Sequence, residues 1–302
     1  MSRISIVGVP MDLGADRRGV DMGPSALRYA NLNEKLKELG HEVQDLGDLD
    51  VIIPETRHFG DPHAKYLKEI VDACRHLANL VLEIRDEGRT PLVLGGDHSI
   101  ALGTVSGVSE SFRRHYQKLG LIWFDAHADF NTPEISPSGN VHGMPMAGIM
   151  GYGPTELTHI LGFSPKIQPQ HAVMVGIREV DPAERELVKK SGVRVFTMKE
   201  IDRRGIGAVM DEALSIVTNG TDGFAATLDA DFLDPIESPG VATPVRGGAN
   251  YREAHLAMEL LADTKKMVSF EITEINPILD VQNKTAYFGM ELILSAFGKQ
   301  IL

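Results

Sequence analysis

Short β-branched apolar runs alternate along this chain with longer segments of helical period, the signature of βα units wound into a mostly parallel sheet. The candidate strands are residues 4–9, 42–46, 91–94, 121–125, 172–177, 193–197, 223–229 and 267–274. Helices are predicted over residues 24–39, 64–87, 100–117, 182–190, 205–217, 251–262 and 284–297. Pro24 and Pro182 fall in first-turn positions, where a missing amide hydrogen costs nothing. No internal repeat, low-complexity tract or Gly/Ser linker divides the sequence. With 43% hydrophobic residues it can bury a large core. The expectation is one α/β domain over residues 1–302, a three-layer fold with a mostly parallel eight-stranded sheet flanked by helices.

The irregular stretches 9–23, 126–145 and 230–250 are rich in Gly, Pro, Asp and Ser, and the last two directly follow apolar strands. Loops at the carboxyl ends of parallel strands are where such folds carry function. Residues 121–129, L-I-W-F-D-A-H-A-D, run a strand straight into Asp125, His127 and Asp129. Residues two apart on an extended chain share a face, so the three are expected to converge on one point where the strand ends. Carboxylate oxygens mixed with imidazole suit a divalent ion such as manganese.

Two further strand ends carry the same chemistry: L-V-L-G-G-D-H-S at 92–99 and T-L-D-A-D-F-L-D-P at 227–235. His98, Asp125, His127, Asp129, Asp229 and Asp231 then form a set of two imidazoles and four carboxylates. Gathered in one cleft, these carboxylates could not all ionise without cations, and two metals with shared carboxylates resolve the repulsion. A lone D-x-D or G-G-D-H-S after a strand is a turn or a helix cap. Three together, each after an apolar strand, share a chemistry that independent turns do not need.

A net charge of -12 argues against nucleic acid or anionic membrane as a partner, because both are polyanions. The single cysteine, Cys74, lies in a predicted helix and reads as a buried structural thiol, with no internal disulfide. The start, M-S-R-I-S-I-V-G-V-P, holds too short an apolar run for a signal peptide, and no stretch approaches ~18 consecutive apolar residues. Cytoplasmic residence is the expectation.

The G-G-D-H-S, D-A-H-A-D and D-A-D-F-L-D-P segments resemble the three metal-binding signatures of the ureohydrolase superfamily, the arginases and agmatinases, in family order. The resemblance runs from G-V-P-M-D-L-G near the start to E-I-N-P near the end. It implies two manganese ions per subunit. One would be held by His98, Asp125, Asp129 and Asp229, the other by His127, Asp125, Asp229 and Asp231, with a bridging hydroxide that attacks a guanidinium carbon. Glu274 matches the carboxylate that grips the guanidinium, and His142 in G-N-V-H-G-M-P matches the proton-shuttle histidine. Asp129 is also placed to relay a proton to the departing nitrogen.

The loop N-T-P-E-I-S-P-S-G-N-V-H-G is similar to the arginase version, with Asn131, Ser136, Ser138 and Asn140 at substrate positions. The first three fall where the α-carboxylate is bound. Asp181 and Glu184 match positions that receive the α-ammonium, although the same spacing caps a helix. Thr243 is placed near the guanidinium, or in a turn. Phe232 departs from the family, which more often has a small or short residue there; its ring either narrows the pocket or packs behind it. Glu179 follows Arg178 where arginases vary.

The resemblance implies hydrolysis of L-arginine to L-ornithine and urea, by a homo-oligomer, trimer or hexamer, whose partner is the small-molecule substrate. Agmatinase or another guanidino-acid ureohydrolase is the alternative within the superfamily. A non-catalytic metal-binding scaffold is the alternative outside it.

Overall fold

Each of the eight predicted strand segments forms a strand in the computed structural model, which describes residues 1–300. They are β1 (Arg3–Val9), β2 (Glu42–Asp48), β3 (Thr90–Gly95), β4 (Leu119–Phe124), β5 (Ala172–Ile177), β6 (Arg194–Thr197), β7 (Gly223–Asp229) and β8 (Met267–Thr273). All pair in parallel, in one sheet of order β2-β1-β3-β8-β7-β4-β5-β6. The chain builds β1 to β3 at one side, crosses to β4 to β6 at the other, and returns to insert β7 and β8 between the halves. Segments distant in sequence therefore end side by side.

The strands read as near-continuous apolar runs because both faces are covered. Alternate residues go to opposite sides: Ile4, Ile6, Leu92, Leu94, Ile122 and Phe124 face one layer, and Val7, Val9, Val93, Leu121 and Trp123 face the other. The first layer comprises α1 (Gly23–Tyr29), α2 (Leu32–Glu38), α8 (Met198–Arg204), α9 (Ile206–Thr218), α10 (Tyr251–Asp263) and α11 (Lys284–Ala296). The second comprises α3 (Leu67–Asp86), α4 (Ala101–Arg114), α5 (Pro145–Ile149), α6 (Thr155–Thr158) and α7 (Pro182–Ser191). Trp123 and Phe124 are fully buried on opposite faces of β4; burying a side chain of phenylalanine size stabilises by about 1.5–3 kcal/mol.

The predicted helix over 24–39 is two helices. Asn31 sits at φ 62 between α1 and α2, in the left-handed region that asparagine tolerates better than branched residues. Three short helices, α5, α6 and α8, went unpredicted, since none spans enough turns to show a period. Among the described residues no helix is long and apolar enough to cross a membrane.

Candidate metal centre and substrate cleft

The carboxyl ends of β3, β8, β7, β4 and β5, consecutive in the sheet, carry His98, Glu274, Asp229 with Asp231, Asp125 with His127 and Asp129, and Asp181. The strands stop before the chemistry begins. β4 ends at Phe124 and β8 at Thr273, while Asp129 and Glu274 take left-handed backbones at φ 49 and φ 63. Asp125, His127 and Asp129 therefore do not converge on one point as an extended strand would make them. Two clusters share Asp125, His98 with Asp125 and Asp229 in one and Asp125 with His127 and Asp231 in the other, while Asp129 stands against His98 beside the first.

In the first cluster one nitrogen, His98 Nδ1, lies 3.1 Å from Asp125 Oδ2, 3.1 Å from Asp129 Oδ2 and 3.2 Å from Asp229 Oδ2. A single N–H serves one such acceptor well, so three carboxylates around one nitrogen fit donors converging on a cation. The far side of the ring fixes the tautomer. Thr227 donates its hydroxyl hydrogen to Glu271 Oε1 (2.9 Å), so His98 Nε2, 2.9 Å from Thr227 Oγ1, must be the N–H donor, leaving Nδ1 its lone pair for a metal. Thr104 donates to the other oxygen of Glu271. Trp123 stacks on the His98 ring at 4.1 Å and donates its indole N–H to Asp125 Oδ2.

In the second cluster His127 Nδ1 lies 3.0 Å from Asp231 Oδ2 and 3.6 Å from Asp125 Oδ1. The Ala126 amide donates to Asp231 Oδ1, and Thr243 Oγ1 donates to Asp231 Oδ2 at 3.1 Å. Without a metal the buried clusters must carry protons. Burial, then Asp231 and Asp125, push Asp229 well above the carboxylate range, and burial with Asp125 raises Asp129 to about 7. Burial opposes charge on both histidines, but the facing carboxylates hold His98 and His127 well above the usual histidine value. Burial also pulls Asp125 upward, yet hydrogen bonds from His127 and His98 keep it far below the usual range. In a hard, buried, oxygen-rich donor set of this kind, divalent cations can take the place of the protons that otherwise balance the carboxylates.

Glu274 is 1% exposed. Its Oε1 accepts from the His98 amide and from His142 Nδ1, both at 3.0 Å, while Oε2 is buried with no partner. An orphaned carboxylate oxygen inside a protein calls for a donor from outside. Burial would lower His142, but the Glu274 carboxylate outweighs it and, with Asp129 and Asp97, holds the imidazole up at about 9. His142 is therefore a charged acid at neutral pH.

A cleft of about 520 Å³ opens over this floor, lined by His127, Asp129, Asn131, Ser136, Ser138, Asn140, His142, Asp181, Glu184, Asp229 and Thr243. Ser136 Oγ and Ser138 Oγ accept the Gly139 and Asn140 amides, and Asn140 Oδ1 accepts from Lys65, so their own O–H and N–H groups are left to donate. Asn131 is arranged differently. Its amide nitrogen donates one hydrogen to Asp181 Oδ2 at 3.1 Å and keeps a second, while its Oδ1 is buried without a partner. Glu184 is tied at both oxygens, by the Phe130 amide (2.7 Å) and by the Asp181 amide in a capping box (3.0 Å). Burial raises its carboxyl to about 7 against those bonds.

Phe232 does not narrow the cleft. Its ring is fully buried and packs edge-on against Phe124 at 5.3 Å, behind the metal floor. It fits only because residue 176 is glycine, at φ +99, where a Cβ would stand 2.3 Å from the ring. Arg17 and Val245 join the cleft wall and Glu271 and Thr227 lie behind the metal floor without a role assigned from sequence, and Glu179 and Arg178, noted there only as a variable pair, line the wall and back the floor. A carboxylate inside the apolar run V-S-F-E-I-T was the available signal for Glu271.

The chain is 52% identical to the arginase of Brevibacillus brevis over 300 residues, 99% of each chain. The solved arginase of Bacillus caldovelox, 50% identical, superposes with a TM-score of 0.96 over 100% of both chains. The arginase of Entamoeba histolytica in complex with L-ornithine, 31% identical, gives 0.90 over 99% of each. The sequence model of the Arginase family matches residues 2–298, and the chain belongs to that family.

Proposed function

We propose that this protein hydrolyses the guanidinium group of L-arginine to L-ornithine and urea at a two-manganese centre. The observation that carries this reading is the orphaned Glu274 Oε2 beside two metal-fit clusters that share Asp125. His98, Asp125, Asp129 and Asp229 would hold one ion, and His127, Asp125, Asp229 and Asp231 the other. Bound there, divalent cations would supply a hydroxide nucleophile near neutral pH by lowering the pKa of a water molecule.

The chain's own groups do the rest. Glu274 pairs with the substrate guanidinium and aims its carbon at the floor of the cleft. His142, charged and held by Glu274, gives its proton to the amine that leaves as ornithine. Asp129, on the same floor, relays a proton to that nitrogen. Asn131, Ser136, Ser138 and Asn140 donate to the α-carboxylate without adding buried charge, and Asp181 and Glu184 offer acceptors to the α-ammonium. The ornithine bound to the Entamoeba relative is the amino acid this reaction leaves behind.

Agmatine would leave the Ser136, Ser138 and Asn140 donors without a carboxylate, and guanidinobutyrate would leave Asp181 without an ammonium. Urea release from arginine is expected to exceed that from either in kcat/KM by about 100-fold or more, the effect of one buried polar group left unpaired at each end. Agmatine turnover equal to that of arginine would overturn the substrate, and no urea above a metal-free control would favour a non-catalytic scaffold. Retention of both His142 and Glu274 argues against a scaffold, which needs neither.

Cytoplasmic residence fits the buried, unpaired thiol of Cys74. A homo-oligomer, trimer or hexamer, would cover apolar residues that this chain exposes, among them Ile236, Ile278 and Val281. Light scattering on the intact protein is expected to read three or six chain masses, and a single chain mass would exclude it.

A further inference from the structure

Arg178 lies one residue past β5, and among the described residues its guanidinium meets no carboxylate. Every bond it donates goes to a backbone carbonyl: Nη1 to Gly176 and Phe232 (both 3.3 Å), and Nη2 to Asp231 (2.6 Å), Val245 (2.7 Å) and Leu233 (3.4 Å). Its own amide donates to Ala126 O at 2.8 Å, and the Ala126 amide donates to Asp231 Oδ1. Residue 248 is glycine where a Cβ would stand 2.6 Å from Arg178 Nη2, so the wall leaves room for the guanidinium.

Three loops meet at this one residue, the first on its backbone amide and the other two on its guanidinium. The first places Ala126 between Asp125 and His127, the second is the turn that carries Asp231, and the third bears Thr243 and Val245 in the cleft wall. The His98 half of the floor is anchored separately, through Thr227 and Glu271. We propose that Arg178 is a positioning residue for the His127–Asp231 metal site alone, setting its geometry and locking the Thr243–Val245 wall to it. This rests on the two-cation reading.

The charge and the clamp pull in opposite directions. As a fixed cation, Arg178 repels a divalent ion at the neighbouring site, so losing the charge would tighten binding. As a clamp it holds the Asp231 turn through bonds that only a planar fork of donors can make together, so losing the fork weakens binding. The Asp231 and Val245 carbonyls would lose the short bonds that join the turn to the wall, and the clamp dominates.

The experiment is manganese titration of the metal-stripped protein, followed by calorimetry and by electron paramagnetic resonance, with Asp231→Ala as the reference for selective loss of this site. In Arg178→Met the second ion is expected to bind about 10- to 100-fold more weakly with the first unchanged, the usual consequence of removing a group that orients ligands. KM for arginine is expected to rise as the Thr243–Val245 wall loosens. Arg178→Lys, which keeps the charge without the fork, is expected to be impaired in the same site, and it decides the matter if circular dichroism shows the methionine variant unfolded. Unchanged or tighter binding of the second ion in the folded variants would overturn the proposal, as would equal weakening of both ions. Fewer than two ions in the unsubstituted protein would instead remove the two-cation reading and this inference with it.

Discussion

Glu274→Gln is expected to lower kcat/KM for arginine by roughly 10²- to 10⁴-fold, the equivalent of about 3–5 kcal/mol for removing one partner of a buried ion pair. Glutamine keeps the shape and can still accept the His98 amide and His142 bonds through its carbonyl oxygen. It loses the charge, and it puts an NH₂ group where Oε2 now waits for a donor, so two donors would face each other across the substrate. The pH profile should shift as well. His142 is held at about 9 chiefly by Glu274, against a burial effect that lowers it. Without that carboxylate its proton is lost at lower pH, so the alkaline limb of activity moves down toward the ordinary histidine range. Manganese stoichiometry should stay at that of the parent, because Glu274 belongs to neither donor cluster. Turnover within a few-fold of the parent would remove Glu274 from the substrate's grip.

The sheet was legible because buried parallel strands must be apolar on both faces, and long helices show their period. Breaks were less legible. Nothing in the pattern of residues 24–39 separates α1 from α2 except Asn31, whose tolerance of a left-handed backbone is a permission and not a command. The metal residues were legible as types, since hard donors at three strand ends have few other uses. Their division into two clusters was not, because it depends on turns after the strands end, including Asp129 at φ 49.

The substrate loop shows the same limit. Ser136 and Ser138 are polar in the sequence, but only their acceptance of backbone amides reveals that their hydrogens face outward. Asp181 and Glu184 looked equivalent at three apart on one helix. The Phe130 amide and the capping box together tie both oxygens of Glu184, while Asp181 shares its carboxylate with Asn131; both line the cleft. Arg178 was invisible for a related reason: its partners are all carbonyls, and carbonyls leave no mark in a sequence.

Stripping the metals is expected to lower the melting temperature by about 8–16 °C per site, from about 4 kcal/mol of ligand stabilisation at 1,000 times Kd and about 2–4 °C per kcal/mol for a chain of this size. The gap should widen as pH rises from 6 to 8.5. In the stripped protein Asp129 and Asp229 titrate above their unfolded value of 3.8, so they oppose folding increasingly as pH rises, fully for Asp129 above about 7. His98 and His127 titrate above 6.5, so what they contribute is complete below that pH and drains away as pH climbs toward their folded values. Asp125, depressed, adds stability that is lost only in acid, outside this window. Every metal-facing group that changes between pH 6 and 8.5 thus destabilises the stripped form in the same direction. The loaded form moves the other way, because cations displace these protons and bind more tightly as protons become scarce. Scanning calorimetry of both forms across that range checks the sign, and a gap that narrows with rising pH would mean that these carboxylates and imidazoles do not meet the metal.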